Sequence, residues 1–400
     1  MLSAEAKNLI HLNLIPGVGA HTIQRLLAVF ASAEKALTAI SAELAQIDGL
    51  APDARQRLIE GRLRVSLESE LELIQMHQCH IVTINDESYS PLLKQISDPP
   101  ALLYVKGQFP PQDTPSIAIV GSRSPTNYGK TTSQQLSYQL ATRGLTIVSG
   151  FARGIDTFAH RGTLDAGGQT IAVFGDGLSV VYPEANREFA DEVVKSGALI
   201  SEFPMTMPPK GTNFPRRNRV ISGLTLGTLV VGASDRSGSL IIARYAAEQG
   251  RAVFAVPGQI FSKMSQGAHH LINQGATLIH SVDDLLDALP HDYTKLVGQQ
   301  KSAPCQPSFP KHTPSQSDPK PVPSQSEAEA KPNPTSSLRL SPDEQTILSA
   351  IDSPASHIDQ IVRTTQLPSG KVSLLLVMLE TERAYSTVAR ETVCKKKNAA

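Results

Sequence analysis

The sequence predicts an α/β protein whose centre is a doubly wound, mostly parallel sheet, with a helical segment before it and a small helical unit after it. Three observations predict this. Short apolar, β-branched runs recur at 117–120, 145–149, 170–174, 197–201, 226–232, 252–256 and 276–280. Helical patterns fill most of the gaps, at 128–144, 154–168, 184–197 and 237–250. The runs are apolar on both faces rather than alternating, as in strands covered by helices on two sides. A stretch rich in proline and serine then sets the last part of the chain apart.

The elements follow in order. Residues 1–80 form a helical domain of SAM or helix-hairpin-helix type. LNLIPGVGAHTIQRLLAVF (12–30) wraps helically spaced apolar residues around a Pro-Gly-Val-Gly turn, and LAQIDGLAPDARQRLI (44–59) repeats the plan around Asp48-Gly49. Hairpin amides of this kind suit a nucleic-acid backbone. However, residues 1–100 hold 8 Lys/Arg against 12 Asp/Glu, so a protein-packing role is favoured here. Residues 81–290 form the sheet domain, entered through short strands and the turn DPPALLYVKG. Residues 291–337 are a linker: 301–340 contains 9 Pro and 8 Ser, too few apolar groups to order itself. Residues 338–400 turn periodic again, as LSPDEQTILSAI, HIDQIVRTTQL and SGKVSLLLVMLE, which suggests a helix-turn-helix or winged-helix-like domain.

Composition narrows the class. The 400 residues are enough for two or three domains. MLSAEAKNLI lacks the basic and apolar regions of a signal peptide, and no apolar stretch is long enough to span a bilayer. Cys79, Cys305 and Cys394 are far apart, which argues against zinc or a disulfide framework and fits a reducing cytoplasm. The chain is neutral overall, with 37 residues of each sign, yet residues 121–244 carry 13 Lys/Arg against 9 Asp/Glu. That central excess is mostly arginine.

IAIVGSRSPTNYGKTT (117–132) raises the question of an ATP-binding loop. A Walker loop places four residues between its first glycine and Gly-Lys-Thr. Here Gly121 and Gly129 have seven residues between them and Ser124 stands where glycine is needed, so amides and lysine cannot converge on one nucleotide. What remains is a strand, a Gly-Ser-Arg turn and a helix start, a place for an anion. Ligands of such sheets lie at the carboxyl ends of the strands. Those ends carry Gly121-Ser122-Arg123, Ser149 to Asp156, Gly175-Asp176-Gly177, Val181-Tyr182-Pro183, Ser201 to Pro204, Lys210, the run Asn213 to Arg219, Arg236 to Ser239 and Val256-Pro257-Gly258. Repeated amides, hydroxyls and forked cations at one rim suit a phosphate backbone. Phe214, Tyr182 and Phe151 offer stacking faces, with core packing as the alternative for each.

Together IAIVGSRSPTNYG, TIVSGFARGIDTFAHRGTLDAGGQTIAVFGDGL, VYPEANREF, GALISEFP, NFPRRNRVISGL, RSGSL and FAVPG resemble the DNA-processing protein A family, also called Smf. The resemblance covers most of 113–280. It implies an extended Rossmann fold and a non-enzymatic, cytoplasmic, single-stranded DNA-binding protein of natural transformation. Such a protein protects incoming DNA, loads the RecA recombinase and forms a homodimer, with single-strand-binding protein as a further candidate partner. No cofactor or metal is implied. Matched by motif, the DNA-binding residues would be Ser122, Arg123, Arg153, Gly154, Lys210, Phe214, Arg216, Arg217, Asn218, Ser237, Gly238 and Ser239. The chain departs from the family pattern at Asp176, often cysteine, at Gly232-Ala233, often acidic, and at Ile242, often threonine. TERAYSTVARETVCKKKNAA replaces the expected glycine-containing wing.

The alternative is a small-nucleotide enzyme resembling the phosphoribohydrolases. RSGSLIIARYAAE lacks the threonine and the correctly spaced glutamate of their loop, and GSRSPT is not a dinucleotide fingerprint. Asp156 and His160 lie four apart on one helical pattern. An exposed i,i+4 pair there is favoured over a metal site, and without GxSxG a triad with Ser239 is disfavoured.

Overall fold

The computed structural model describes residues 2–109 and 114–289, with Thr364, Thr365, Leu367 and Val372. The linker at 291–337 and the rest of the 338–400 tail lie outside the described residues. The chain divides into one unit over Met1–Ser308 and another over Phe309–Ala400. The first unit holds the N-terminal helices and the whole sheet.

Six helices lead: α1 (Ala4–Leu14), α2 (Ala20–Phe30), α3 (Ala33–Thr38), α4 (Ser41–Leu44), α5 (Pro52–Gly61) and α6 (Leu67–Met76). Ser3 caps α1 by accepting from the Ala6 amide at 3.1 Å, satisfying one orphan donor. The turn into α2 passes through Gly17 at φ 83°, a conformation glycine adopts without strain. Leu9, Ile10, Leu12, Ile23 and Leu26 are fully buried, each contributing on the order of 2 kcal/mol.

The sheet elements follow: β1 (Cys79–Thr83), α7 (Pro91–Lys94), β2 (Leu102–Gly107), β3 (Ser116–Gly121), α8 (Asn127–Thr142), β4 (Thr146–Ser149), α9 (Ile155–Asp165), β5 (Thr170–Val173), α10 (Arg187–Ser196) and β6 (Gly197–Ser201). The chain then forms α11 (Asn213–Gly223), β7 (Gly227–Val231), α12 (Gly238–Glu248), β8 (Ala252–Ala255), α13 (Gln266–Asn273), β9 (Thr277–Leu278) and α14 (Val282–Asp287). The nine strands run in the order β1-β2-β6-β5-β4-β3-β7-β8-β9. β1 and β2 pair antiparallel, as do β2 and β6, and every other pair is parallel. All seven apolar runs of the sequence are strands in this sheet.

Side-chain alternation sorts the strands between two faces. Along β5, Ile171 and Val173 join a cluster with Val220 and Ile221 of α11 and Ile242 and Ala243 of α12. On the opposite face Ile117, Ile147 and Leu229 pack with Leu136, Leu140 and Ala159 of α8 and α9. The N-terminal helices cover the remainder: Leu9, Leu12 and Leu58 share a cluster with Leu102 and Tyr104 of β2, Leu199 of β6 and Phe174. The expected 80/81 boundary falls inside β1, just after the change from helix to strand at 77–78, and the hydrophobic core continues across it. Polar contacts reinforce the join, since Asn13 Nδ2 donates to the Glu202 carbonyl at 3.0 Å and the Met205 amide donates to Glu70 Oε1 at 2.8 Å.

Candidate nucleic-acid interface

β3 is flanked by β4 on one side and β7 on the other, so the sheet switches direction of winding there. A nucleotide would ordinarily sit in the crevice at that switch. In this chain the crevice retains only about 20 Å³, between Ser122, Gly129, Pro257 and Met264. Ser122 Oγ accepts from the Ser124 amide at 3.1 Å and contacts Met264 Sδ at 3.5 Å, closing it. A larger cavity of about 250 Å³ opens one position along, over the ends of β4 and β5.

Its floor begins where β4 ends. The chain turns through Gly150 and Phe151, the latter at φ 57°, and reaches α9 through Gly154 at φ 87°. Gly150 is required by contact: a Cβ there would lie 1.7 Å from Arg217 Nη1 and 2.8 Å from Asp156 Oδ2. Gly154 lets this loop touch the β3 loop, since a Cβ would lie 2.3 Å from the Ser122 carbonyl. The Phe151 ring is turned into the core, stacked 5.1 Å from Phe174 and 5.8 Å from Phe189. As a stacking face for a base, Phe151 is thus ruled out by its burial.

The wall is α11. The run NFPRRNRVISG reads as a strand-end loop in sequence but forms a helix here. Pro215 falls in its first turn, where no intrahelical donor is lost. At about 100° per residue, successive arginines point in different directions. Arg216 is exposed, with its guanidinium 5.2 Å from the Phe203 ring centre. Arg217 turns inward, only 4 % exposed, 5.9 Å from the Phe214 ring. Arg219 points to the opposite side and is structural, its Nη2 2.7 Å from Glu202 and its Nε 3.1 Å from Asp98. Arg123 reaches over from the β3 loop to lie 5.5 Å from Phe214. Phe214 therefore carries two guanidiniums, with exposed Tyr182 tilted 6.1 Å away.

The cavity floor is a buried charge cluster. Burial pushes the Asp156 carboxyl up to about 6, opposed by Arg217 and by the amides of Ala152 and Gly150. Burial likewise pushes Asp176 up to about 7, again opposed by Arg217. Arg217 is itself lowered to about 10 by burial, with Asp156 and Asp176 acting to restore it. Nε and Nη1 of Arg217 and Oδ2 of Asp176 are buried without a hydrogen-bond partner, and both side chains line the cavity. His160 belongs to the core instead. Its Nδ1 pairs with Thr170 Oγ1 at 2.7 Å, and burial lowers its pKa to about 3. The exposed i,i+4 pair expected from sequence is therefore not formed: Asp156 and His160 are both buried and share no hydrogen bond or ion pair among the described residues.

The structure brings Arg123, Arg153, Phe214 and Arg217 to one cavity. Exposed Lys210 stands in the loop before α11, and Asn218 is buried within that helix. Ser237, Gly238 and Ser239 start α12, where Ser237 Oγ accepts from the Ser239 amide at 3.4 Å, and they do not line the cavity. Gly150, Ser124 and Asp176 also line it; all three lie in the strand-end motifs of the sequence, though none is among the residues matched to DNA binding. Gly-Asp-Gly directly after an apolar run is the signal available for Asp176. Among the described residues no cluster of His, Cys, Asp and Glu could hold a metal ion, and no helix is long and apolar enough to cross a membrane.

Residues 80–290 match the DNA recombination-mediator protein A family, and residues 328–384 match the DprA winged helix domain, ending before most of the altered tail. Protein Smf of Synechocystis is 34% identical over 371 residues, covering 92% of each chain. Protein Smf of Escherichia coli is 43% identical over 251 residues, covering 62% of this chain and 67% of its own. The crystal structure of DNA processing protein A from Streptococcus pneumoniae superposes with a TM-score of 0.63 at 34% identity, covering 72% of this chain and 99% of that one.

Proposed function

The chain belongs to the DNA recombination-mediator protein A family, and from that premise we propose that it binds single-stranded DNA, with phosphates on the arginine rim and one base lowered into the cavity. The observation that carries this is the division of charge. Arg123 and Arg153 are exposed at the mouth, where they suit phosphates. Arg217 lies below them beside two carboxylates, where a phosphate would meet like charge. A neutral base fits there, and Phe214 offers it a face. Loading of RecA, protection of incoming DNA in natural transformation, a homodimeric state and contact with single-strand-binding protein extend this reading through the family. The role is binding without turnover: His160 is locked in the core and the switch-point crevice has no room for a nucleotide.

Fluorescence anisotropy of a labelled mixed-sequence oligonucleotide tests this, from about 50 to about 300 mM salt, with and without excess ATP. Expected is tight binding that weakens steeply with salt and ignores ATP. Displacement by ATP, or turnover of a mononucleotide, would favour the small-nucleotide enzyme instead.

A further inference from the structure

We propose that Asp176 makes the cavity selective, its free Oδ2 accepting a hydrogen bond from the exocyclic amine of the entering base, so that cytosine is held in preference to uracil or thymine. The proposal rests on the reading of the cavity as a base site. Asp176 and Arg217 both line the cavity, and each carries buried polar atoms without a partner. Asp176 is 2 % exposed and its Oδ2 has no partner. Arg217 is 4 % exposed and offers Nε and Nη1, also without partners. A buried donor or acceptor left unmet is costly, so a ligand that satisfies both is favoured.

Phosphate supplies acceptors only and would add negative charge beside Asp156 and Asp176. A base edge that places an amine next to a ring acceptor supplies what each group lacks. Cytosine does so, with its 4-amino group for Asp176 and its N3 for Arg217. Uracil and thymine carry a carbonyl at position 4. Their only ring N–H is flanked by two carbonyl oxygens, which repel a carboxylate oxygen approaching between them. The main chain that carries the carboxylate is fixed in place. The Asp176 carbonyl accepts from Ser201 Oγ at 2.6 Å, the Phe174 amide donates to Ile200 at 2.8 Å, and the Gly177 amide donates to Met207 at 2.9 Å. Held this way, the carboxylate starts from a rigid base beside Arg217.

Oligo-dC and oligo-dU of one length differ at the 4-position of every base and carry the same phosphates. Their affinities are measured by anisotropy at about pH 8 and moderate salt, where Asp176 is mostly ionised. The wild-type chain should bind oligo-dC about tenfold more tightly. Asp176→Asn and Asp176→Ala should each bring the ratio close to one. Equal affinity of the wild-type chain for both strands overturns the proposal and needs no variant to do so. Preference that survives in both folded variants overturns it as well. Equal but salt-sensitive binding would leave the single-strand reading standing and remove only the selectivity, whereas no binding to either strand would sink both.

Discussion

The mouth and the floor of the cavity use the same residue type for different work. At the mouth, Arg123 and Arg153 are exposed, as are Arg216 of α11 and Lys210 in the loop before it. None of these four forms an ion pair among the described residues. On the floor Arg217 is buried between Asp156 and Asp176, both raised by burial. In the proposed binding mode burial, rather than residue identity, decides which guanidinium meets phosphate. An exposed cation releases counterions on binding, while a buried and compensated one can only offer directed hydrogen bonds.

The largest expected effect comes from emptying the floor. Arg217→Ala leaves two buried carboxyls without their cation and should cost about 3 kcal/mol of stability near pH 8. Near pH 5 both carboxyls are largely protonated in the folded chain, so the loss should shrink. Urea unfolding at the two pH values checks this. An equal loss at both would mean that Arg217 acts through packing alone.

The mouth should respond differently. Arg123→Ala and Arg153→Ala should each lower the salt slope of DNA binding by about one and weaken binding by about 1 kcal/mol at moderate salt. Arg217→Gln should weaken binding with the slope unchanged, because it removes a base contact and no phosphate contact. A slope that falls by the same amount in all three variants would erase the distinction between mouth and floor.

How far the sequence shows this arrangement depends on how local its causes are. The strands are legible because each is a short run apolar on both faces, and β3 to β9 lie on the runs that predict them. The cluster of Arg123, Arg153, Phe214 and Arg217 is legible because strand ends converge in a doubly wound sheet. The helix α11 is not, since Asn-Phe-Pro reads as a turn and the arginines mask the period. Without that helix the three arginines look equivalent, although one faces solvent, one the cavity and one a buried Glu202. Asp176 is the least legible. Its role depends on a cation some forty residues further along the chain, which only the fold brings beside it.

The smallest expected effect is the most specific to the floor. Asp176 holds its proton more tightly folded than unfolded, with a folded pKa of about 7 against an ordinary value near 4. Between those values the folded chain binds a proton that the unfolded chain has released. Its contribution to stability is therefore full below about pH 4 and is lost as pH rises through about 7. Asp156 acts with the same sign over a narrower window, up to about 6. Asparagine does not titrate, so Asp176→Asn should gain about 1 kcal/mol over the wild-type chain near pH 8 and nothing near pH 4. Thermal unfolding at the two pH values measures it. A gain at pH 8 accompanied by loss of the preference for oligo-dC would mean that the carboxylate is retained for recognition, at a cost to the unliganded fold. A variant that is less stable than wild type at pH 8 would instead make Asp176 a structural partner of Arg217, and the floor a salt bridge rather than a reading head.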